Sequence, residues 1–299
     1  MALDLATFCA VFRASVRSSL EYSISDDLDT FGTMVRGDSH VLDALGTFVI
    51  GTSFAGDWYS ASARMFREMG PPASLFRVDW RADRAVAMTL YMKFAQAPTD
   101  SEFERLLAAA RPFRWHGPSP AAVGEAVGLT GPTGVALRST AAGSGHIAVY
   151  YVVEARRSAL GRGALSRLLQ AADIPCGAER ILADSVTLAA NCPLSVVGLD
   201  GGSPESRGAL KFDWGEVPPR VARALLSSKG TRHRVLTRFD ELSSSLRARW
   251  LSYLGLKYES SGYAGWKAYF STEPHRYIPA GLPSVQAGDR SRGARMPHY

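Results

Sequence analysis

At 299 residues, with 46% hydrophobic and 21% charged residues, the chain has the composition of a globular protein able to bury a sizeable core. No apolar run approaches the roughly 20 residues of a membrane span, and the N-terminus lacks a basic stretch followed by a cleavable apolar one, so a cytoplasmic protein with no membrane partner is expected. The net charge of +6 suits an anionic partner, while three scattered cysteines (Cys9, Cys176, Cys192) and six histidines never at ligand spacing suggest neither a disulfide framework nor a protein-held metal.

In chain order, Leu5, Phe8, Phe12 and Val16 fall at helical spacing and predict an amphipathic helix. The acidic run "SDDLDTF" (Asp26, Asp27, Asp29) reads as a helix start, because acids favour the first turn. It is not a DDxxD magnesium motif, since position 30 is Thr30. Next, "HVLDALGTFVI" and "DWYSASARMFR", separated by "GTSFAG", read as two strands of a hairpin, with Arg64 on the second.

Four clearer hairpins follow. Their first strands are "SLFRVDW", "GVALRST", "LSVVGLD" and "YLGLKYE", and their second strands are "AVAMTLYMKF", "GHIAVYYVVEA", "SRGALKFDWGEV" and "AGWKAYFST", with polar or glycine-rich turns between. Aligning the second strands brings Tyr91, Tyr150, Lys211 and Tyr269 into register, at intervals of about sixty residues. Helical segments follow the first three hairpins: "DSEFERLLAAARPF", with Thr99 and Glu102 as a capping box; "ALGRGALSRLLQAAD"; and "PPRVARALLSSKG", with proline at its start and Gly230 past its end. A fourth helix, "FDELSSSLRARWLSYLG", leads into the last hairpin. The expected organisation is one domain over residues 1–278 and a basic, flexible tail over 279–299, rich in Pro, Gly, Ser and Arg.

Five hairpins separated by helices predict an α/β fold: a closed ten-stranded antiparallel β-barrel inside a layer of helices, built from repeated ββ-α units. Alternation along each second strand gives one apolar face and one that collects cations and phenols: Thr89, Tyr91 and Lys93; Ala148 and Tyr150; Arg207, Lys211 and Asp213; Lys267 and Tyr269. In a closed sheet these rows converge on the interior, where unpaired cations would be costly and an anionic ligand relieves the cost.

These features resemble the ABBA-barrel aromatic prenyltransferases: the bacterial phenol and phenazine enzymes, the cyanobactin enzymes and the dimethylallyl tryptophan synthase group. The resemblance rests on "WKAYFST", similar to the family's closing Lys-x-Tyr strand, and on "PPASLFRVDWRADRAVAMTLYMKF", similar to its central hairpin; it spans residues 40–275. This chain departs from the pattern where Thr89 stands for a cation, where Ala148 precedes Tyr150, and where Lys211 replaces a tyrosine.

The resemblance implies transfer of a dimethylallyl or geranyl group from an allylic diphosphate to an electron-rich indole, phenol or peptide side chain. Arg64, Lys93, Arg207, Lys211 and Lys267 would hold the diphosphate, Tyr91, Tyr150 and Tyr269 would shield the allyl cation, and Asp43 would act as the acid or base, with Asp213 in reserve. No cofactor is required by the residues, although Mg2+ could accompany the diphosphate. A monomer without a nucleic-acid partner is expected, since the basic stretch "KGTRHRVLTR" lacks interleaved aromatics and reads as a solvated connection. The alternatives are a non-catalytic barrel that binds an anionic small molecule, and a basic nucleic-acid-binding protein.

Overall fold

The computed structural model describes residues 18–26, 30–37, 39–49, 53–69, 73–81, 83–142, 145–153, 162–174, 178–189, 192–202 and 208–271. The helix expected before residue 18, Arg207, and the tail with its proposed boundary at 278 lie outside them.

Ten strands form one closed antiparallel barrel in which each strand pairs with its neighbours in the chain and β1 (Ser18–Ser25) also pairs with β10 (Gly262–Ser271). Between them run β2 (Thr30–Gly37), β3 (Ala73–Arg81), β4 (Arg84–Lys93), β5 (Gly134–Thr140), β6 (Gly145–Val152), β7 (Leu194–Asp200), β8 (Ala209–Val217) and β9 (Leu251–Glu259). Closure leaves no free sheet edge. The expected architecture is borne out.

The outward strand faces are largely apolar and buried, including Phe76, Val78 and Trp80 on β3, Met88, Leu90 and Met92 on β4, and Leu210, Phe212 and Trp214 on β8. Helices cover this surface because it is mostly apolar, and the few polar side chains on it are small, such as Thr33, Ser74 and Ser139. Among the described residues they are α1 (Ser39–Val49), α2 (Ser53–Met69), α3 (Asp100–Ala109), α4 (Pro120–Ala126), α5 (Arg162–Ala171), α6 (Ala178–Ala189), α7 (Pro219–Ser228) and α8 (His233–Ser245). Side-chain hydrogen bonds pin the layer to the barrel: Trp58 Nε1 of α2 donates to the Leu137 carbonyl at 3.0 Å, and the Tyr151 hydroxyl of β6 donates to the Pro120 carbonyl of α4 at 2.8 Å. The capping box at Thr99 and Glu102 opens α3 as expected.

The first hairpin differs from expectation. "HVLDALGTFVI" and "DWYSASARMFR" are not strands but belong to α1 and α2, because Val41, Leu42 and Leu45, and then Trp58, Ala61, Ser62 and Met65, repeat at helical spacing on the buried side. The missing strands are β1 and β2, which flank the acidic run; its Asp27 and Asp29 lie outside the described residues. Asp26 is therefore in a hairpin turn, not at a helix start, and its carbonyl accepts from Arg232 Nη2 at 2.8 Å. The basic stretch around Arg232 is likewise more than a connection, since α8 begins at His233. That helix starts and ends earlier than expected, and "LSYLG" begins β9 instead.

The barrel has two unlike ends. The strand ends joined within hairpins gather at one, and the strand ends joined through helices gather at the other.

Candidate functional site

Strand pairing fixes which side chains share the interior. In one cross-strand row Arg77 of β3 pairs with Thr89 of β4, Thr89 with Arg138 of β5, and Arg138 with His146 of β6. In another, Lys93 pairs with Gly134, Gly134 with Tyr150, Tyr150 with Gly198, Gly198 with Lys211, and Lys211 with Lys257. Lys267 pairs with Gly255, and Tyr269 with both Tyr253 and Ser23.

The four positions aligned by the repeat come together. The Tyr91 and Tyr150 rings are 5.8 Å apart, Lys211 Nζ donates to the Tyr269 hydroxyl at 2.8 Å, and Lys267 Nζ lies 5.6 Å from the centre of the Tyr269 ring. Arg77 Cζ lies 5.2 Å from the same centre, within cation–π range. Tyr253 meets Tyr269 edge to face at 6.4 Å.

Two internal carboxylates organise the cations. Asp79 Oδ1 accepts from Arg77 Nε at 2.7 Å and lies 3.5 Å from Lys267 Nζ, while its Oδ2 lies 2.9 Å from Arg138 Nη1. Arg77 Nη2 also donates to Ser23 Oγ at 2.6 Å. Asp213 Oδ1 lies 2.8 Å from Lys211 Nζ. Four interior cations, Arg77, Arg138, Lys211 and Lys267, thus share two carboxylates. Such a positive excess suits an anion.

Two glycines make room for this arrangement. A Cβ on Gly255 would lie 2.5 Å from both Asp213 Oδ1 and Lys211 Cε, and one on Gly32 would overlap the Arg77 guanidinium. At both positions the ion pair passes directly over bare backbone.

Charge and burial shift the site's titrations. Burial lowers Lys267 to about 7, helped by the positive charge of Arg77, Arg138 and Lys211, with only Asp79 opposing. For Asp79, burial acts upward but is outweighed by Arg77, Lys267 and Arg138, which hold the carboxyl well below the usual carboxylate range. Burial also pulls Lys211 down, yet Asp213 and the surrounding phenols bring it above the ordinary lysine value. Burial raises Tyr91 to about 12 and lifts Tyr150 well above its usual value, so both remain neutral phenols near pH 7.

The expected site residues divide. Tyr91, Tyr150, Lys211, Tyr269 and Lys267 lie on the inner face and meet or adjoin one another, and Asp213 joins them through Lys211. Lys93 is inward on β4, with burial lowering its pKa. Arg64 requires correction: it is on α2, outside the barrel, where its Nε donates to the Ala109 carbonyl at 2.9 Å and its Nη2 donates to the Arg111 carbonyl, closing the end of α3. Asp43 is also on a helix, α1, exposed and accepting from the Tyr59 hydroxyl at 3.1 Å. Neither residue joins the interior cluster.

Arg77, Asp79 and Arg138 were not among the expected residues. They lie on first strands of hairpins, whereas the sixty-residue repeat is carried by the second strands. The signal was present in "SLFRVDW": an arginine and an aspartate two residues apart in an otherwise apolar strand face one side together. These residues explain the departure at Thr89, because cations flank it from both neighbouring strands.

No family model matches the chain, and no curated protein matches it. Solved structures do. A 5-dimethylallyltryptophan synthase from Streptomyces coelicolor superposes with a TM-score of 0.58 at 15% identity, over 87% of this chain and 82% of that one. A 6-dimethylallyltryptophan synthase from Micromonospora olivasterospora, solved with DMASPP and Trp, gives 0.57 at 13% identity, over 88% and 83%. AnaPT from Neosartorya fischeri gives 0.57 at 10% identity, over 85% and 77%. The chain therefore has the fold of these ABBA-barrel aromatic prenyltransferases, a helix-wrapped barrel of ten antiparallel strands with its polar side chains turned inward.

Proposed function

We propose that the protein is an aromatic prenyltransferase that moves a dimethylallyl or geranyl group from an allylic diphosphate to an electron-rich aromatic acceptor. The observation that carries this reading is the convergence of Arg77, Arg138, Lys211 and Lys267 with Tyr91, Tyr150 and Tyr269 inside one barrel. Neighbours of the same fold, solved with DMASPP and tryptophan, lend it support.

In this reading the four cations bind the diphosphate and stabilise the charge that grows on it as the allylic C–O bond breaks. They are held in place beforehand by Asp79 and Asp213, so little reorganisation is needed when the ligand arrives. The neutral faces of Tyr91, Tyr150 and Tyr269 line the space beside the cluster, stabilising the allyl cation and keeping water away. A divalent cation would travel with the diphosphate oxygens: among the described residues no three His, Cys, Asp or Glu side chains gather as a metal site would require. No described helix is long and apolar enough to cross a membrane.

Incubation with dimethylallyl or geranyl diphosphate and a panel of indoles, phenols and peptides tests the reading, with prenylated product detected by mass. Product that disappears in Lys267→Ala, while that variant remains folded, supports it. Thermal protection by diphosphate without product from any acceptor favours a non-catalytic binding barrel instead.

A further inference from the structure

One pair on the inner wall takes no part in the chemistry above. His146 of β6 and Asp200 of β7 face each other near the hairpin end, with His146 Nε2 3.5 Å from Asp200 Oδ2. The carboxylate is fixed from behind, since the Gly202 amide donates to Asp200 Oδ1 at 3.2 Å. Arg138 is the cross-strand neighbour of His146, and Lys257 of β9 lies 3.9 Å from Asp200 Oδ2 and 3.1 Å from Glu259 Oε1.

The inward positions between His146 and Tyr150 hold small side chains, Ala148 on β6 and its partner Ala136 on β5. His146 and Tyr150 are four residues apart on one strand, a separation of about 13 Å between their Cα atoms. An aromatic acceptor placed over Ala148 would have the allyl cation on its Tyr150 side and the imidazole on the other.

We propose that His146, oriented by Asp200, is the base that accepts the proton released by the aromatic acceptor. This inference rests on the prenyl-transfer reading. The allylic C–O bond breaks and its electron pair leaves with the diphosphate. A π pair of the acceptor then forms the new C–C bond, the ring C–H bond breaks to restore aromaticity, and the proton moves to the free imidazole nitrogen. Asp200 is a positioning residue, balancing the imidazolium that forms. His146 is 30% exposed, so the proton passes to solvent at the hairpin end.

The electrostatics suit a base. Burial lowers the imidazole below its ordinary pKa, Asp200 pulls it upward, and Arg138 and Lys257 push it down again, leaving it neutral near pH 7.

The test compares wild type, His146→Gln and Lys257→Met for transfer to the acceptor from pH 5 to 9, with thermal protection by inorganic pyrophosphate measured separately. In wild type, kcat should fall at low pH as the imidazole is protonated. His146→Gln should lower kcat about 100-fold or more and abolish that acid limb, while pyrophosphate still protects the protein. Lys257→Met removes a positive neighbour, so the acid limb should move to higher pH. A His146→Gln protein with wild-type kcat and acid limb overturns the proposal, as does an unmoved limb in Lys257→Met; the latter result decides alone if His146→Gln fails to fold. When wild type transfers normally, these failures leave the prenyl-transfer reading standing. When wild type makes no product from any acceptor, that reading falls and the proposal falls with it.

Discussion

Lys211 and Tyr269 touch across the barrel interior, Nζ to hydroxyl at 2.8 Å, although β9 separates their strands. Tyr269→Phe removes the hydroxyl and keeps the ring. Lys211 retains Asp213, so the expected loss is about 1 kcal/mol of stability, read from urea denaturation at constant slope. Tyr269→Ala also removes the π-face and should raise the share of allylic diphosphate lost to hydrolysis; an unchanged alcohol-to-product ratio would count against the shielding role.

The titration of Lys267 has a defined sign. Below pH 7 its amine is protonated in both folded and unfolded protein, and the destabilising effect of burying it is complete. Between about 7 and 10.4 the folded protein has released a proton that the unfolded chain keeps, so this residue makes stability rise with pH. Lys267→Met should flatten that rise in urea or thermal midpoints. It should also weaken pyrophosphate binding about 10- to 100-fold at pH 6.5 and by less at pH 9, where the wild-type amine is largely neutral.

Asp79 is the carboxylate that Arg77, Arg138 and Lys267 share. Its pKa is held low in the fold, so its contribution is present above about pH 4 and is lost as pH falls below that. Asp79→Asn leaves buried cations without their counter-charge and is expected to cost about 3 kcal/mol or more at pH 7. Pyrophosphate should recover part of the loss by binding the native state, and the acid-side decline in stability should become shallower. A variant as stable as wild type and indifferent to pyrophosphate would contradict the shared-anchor arrangement.

Gly255→Ala is predicted to act through space rather than backbone conformation. The new Cβ must displace Lys211 or Asp213, both only 2.5 Å from where it would sit. The expected outcome is about tenfold weaker pyrophosphate binding with secondary structure preserved, measured by calorimetry and circular dichroism.

The eight strands from β3 to β10 were legible because large apolar residues recur at every second position and polar or glycine-rich turns separate them. The hairpin β1–β2 was not. Its strands carry few apolar residues, and the acids at its turn share their chemistry with helix N-termini. In α1 and α2, the glycines of "GTSFAG" imitated a turn between strands, although Trp58, Ala61, Ser62 and Met65 already followed a helical period. Within the site, the positions repeated at about sixty residues identified Tyr91, Tyr150, Lys211 and Tyr269, since equivalent strand positions converge when a repeat closes on itself. The Arg77–Asp79 pair was present as an i, i+2 pattern on β3, but its contacts with Ser23, Arg138 and Lys267 come from other hairpins, and sequence spacing carries no information about contacts made through barrel closure.

Asp79 and Asp213 have a consequence for selectivity. Each interior cation already has a partner, so an incoming anion must outcompete a carboxylate that is fixed in place and only slightly hydrated. A singly charged ion such as chloride or acetate offers no more than the resident aspartates do. A diphosphate brings several charges on one compact group and can engage the four cations together. On the prenyl-transfer reading the barrel would therefore discriminate by charge density, with its own carboxylates as the competitors against which every ligand is measured.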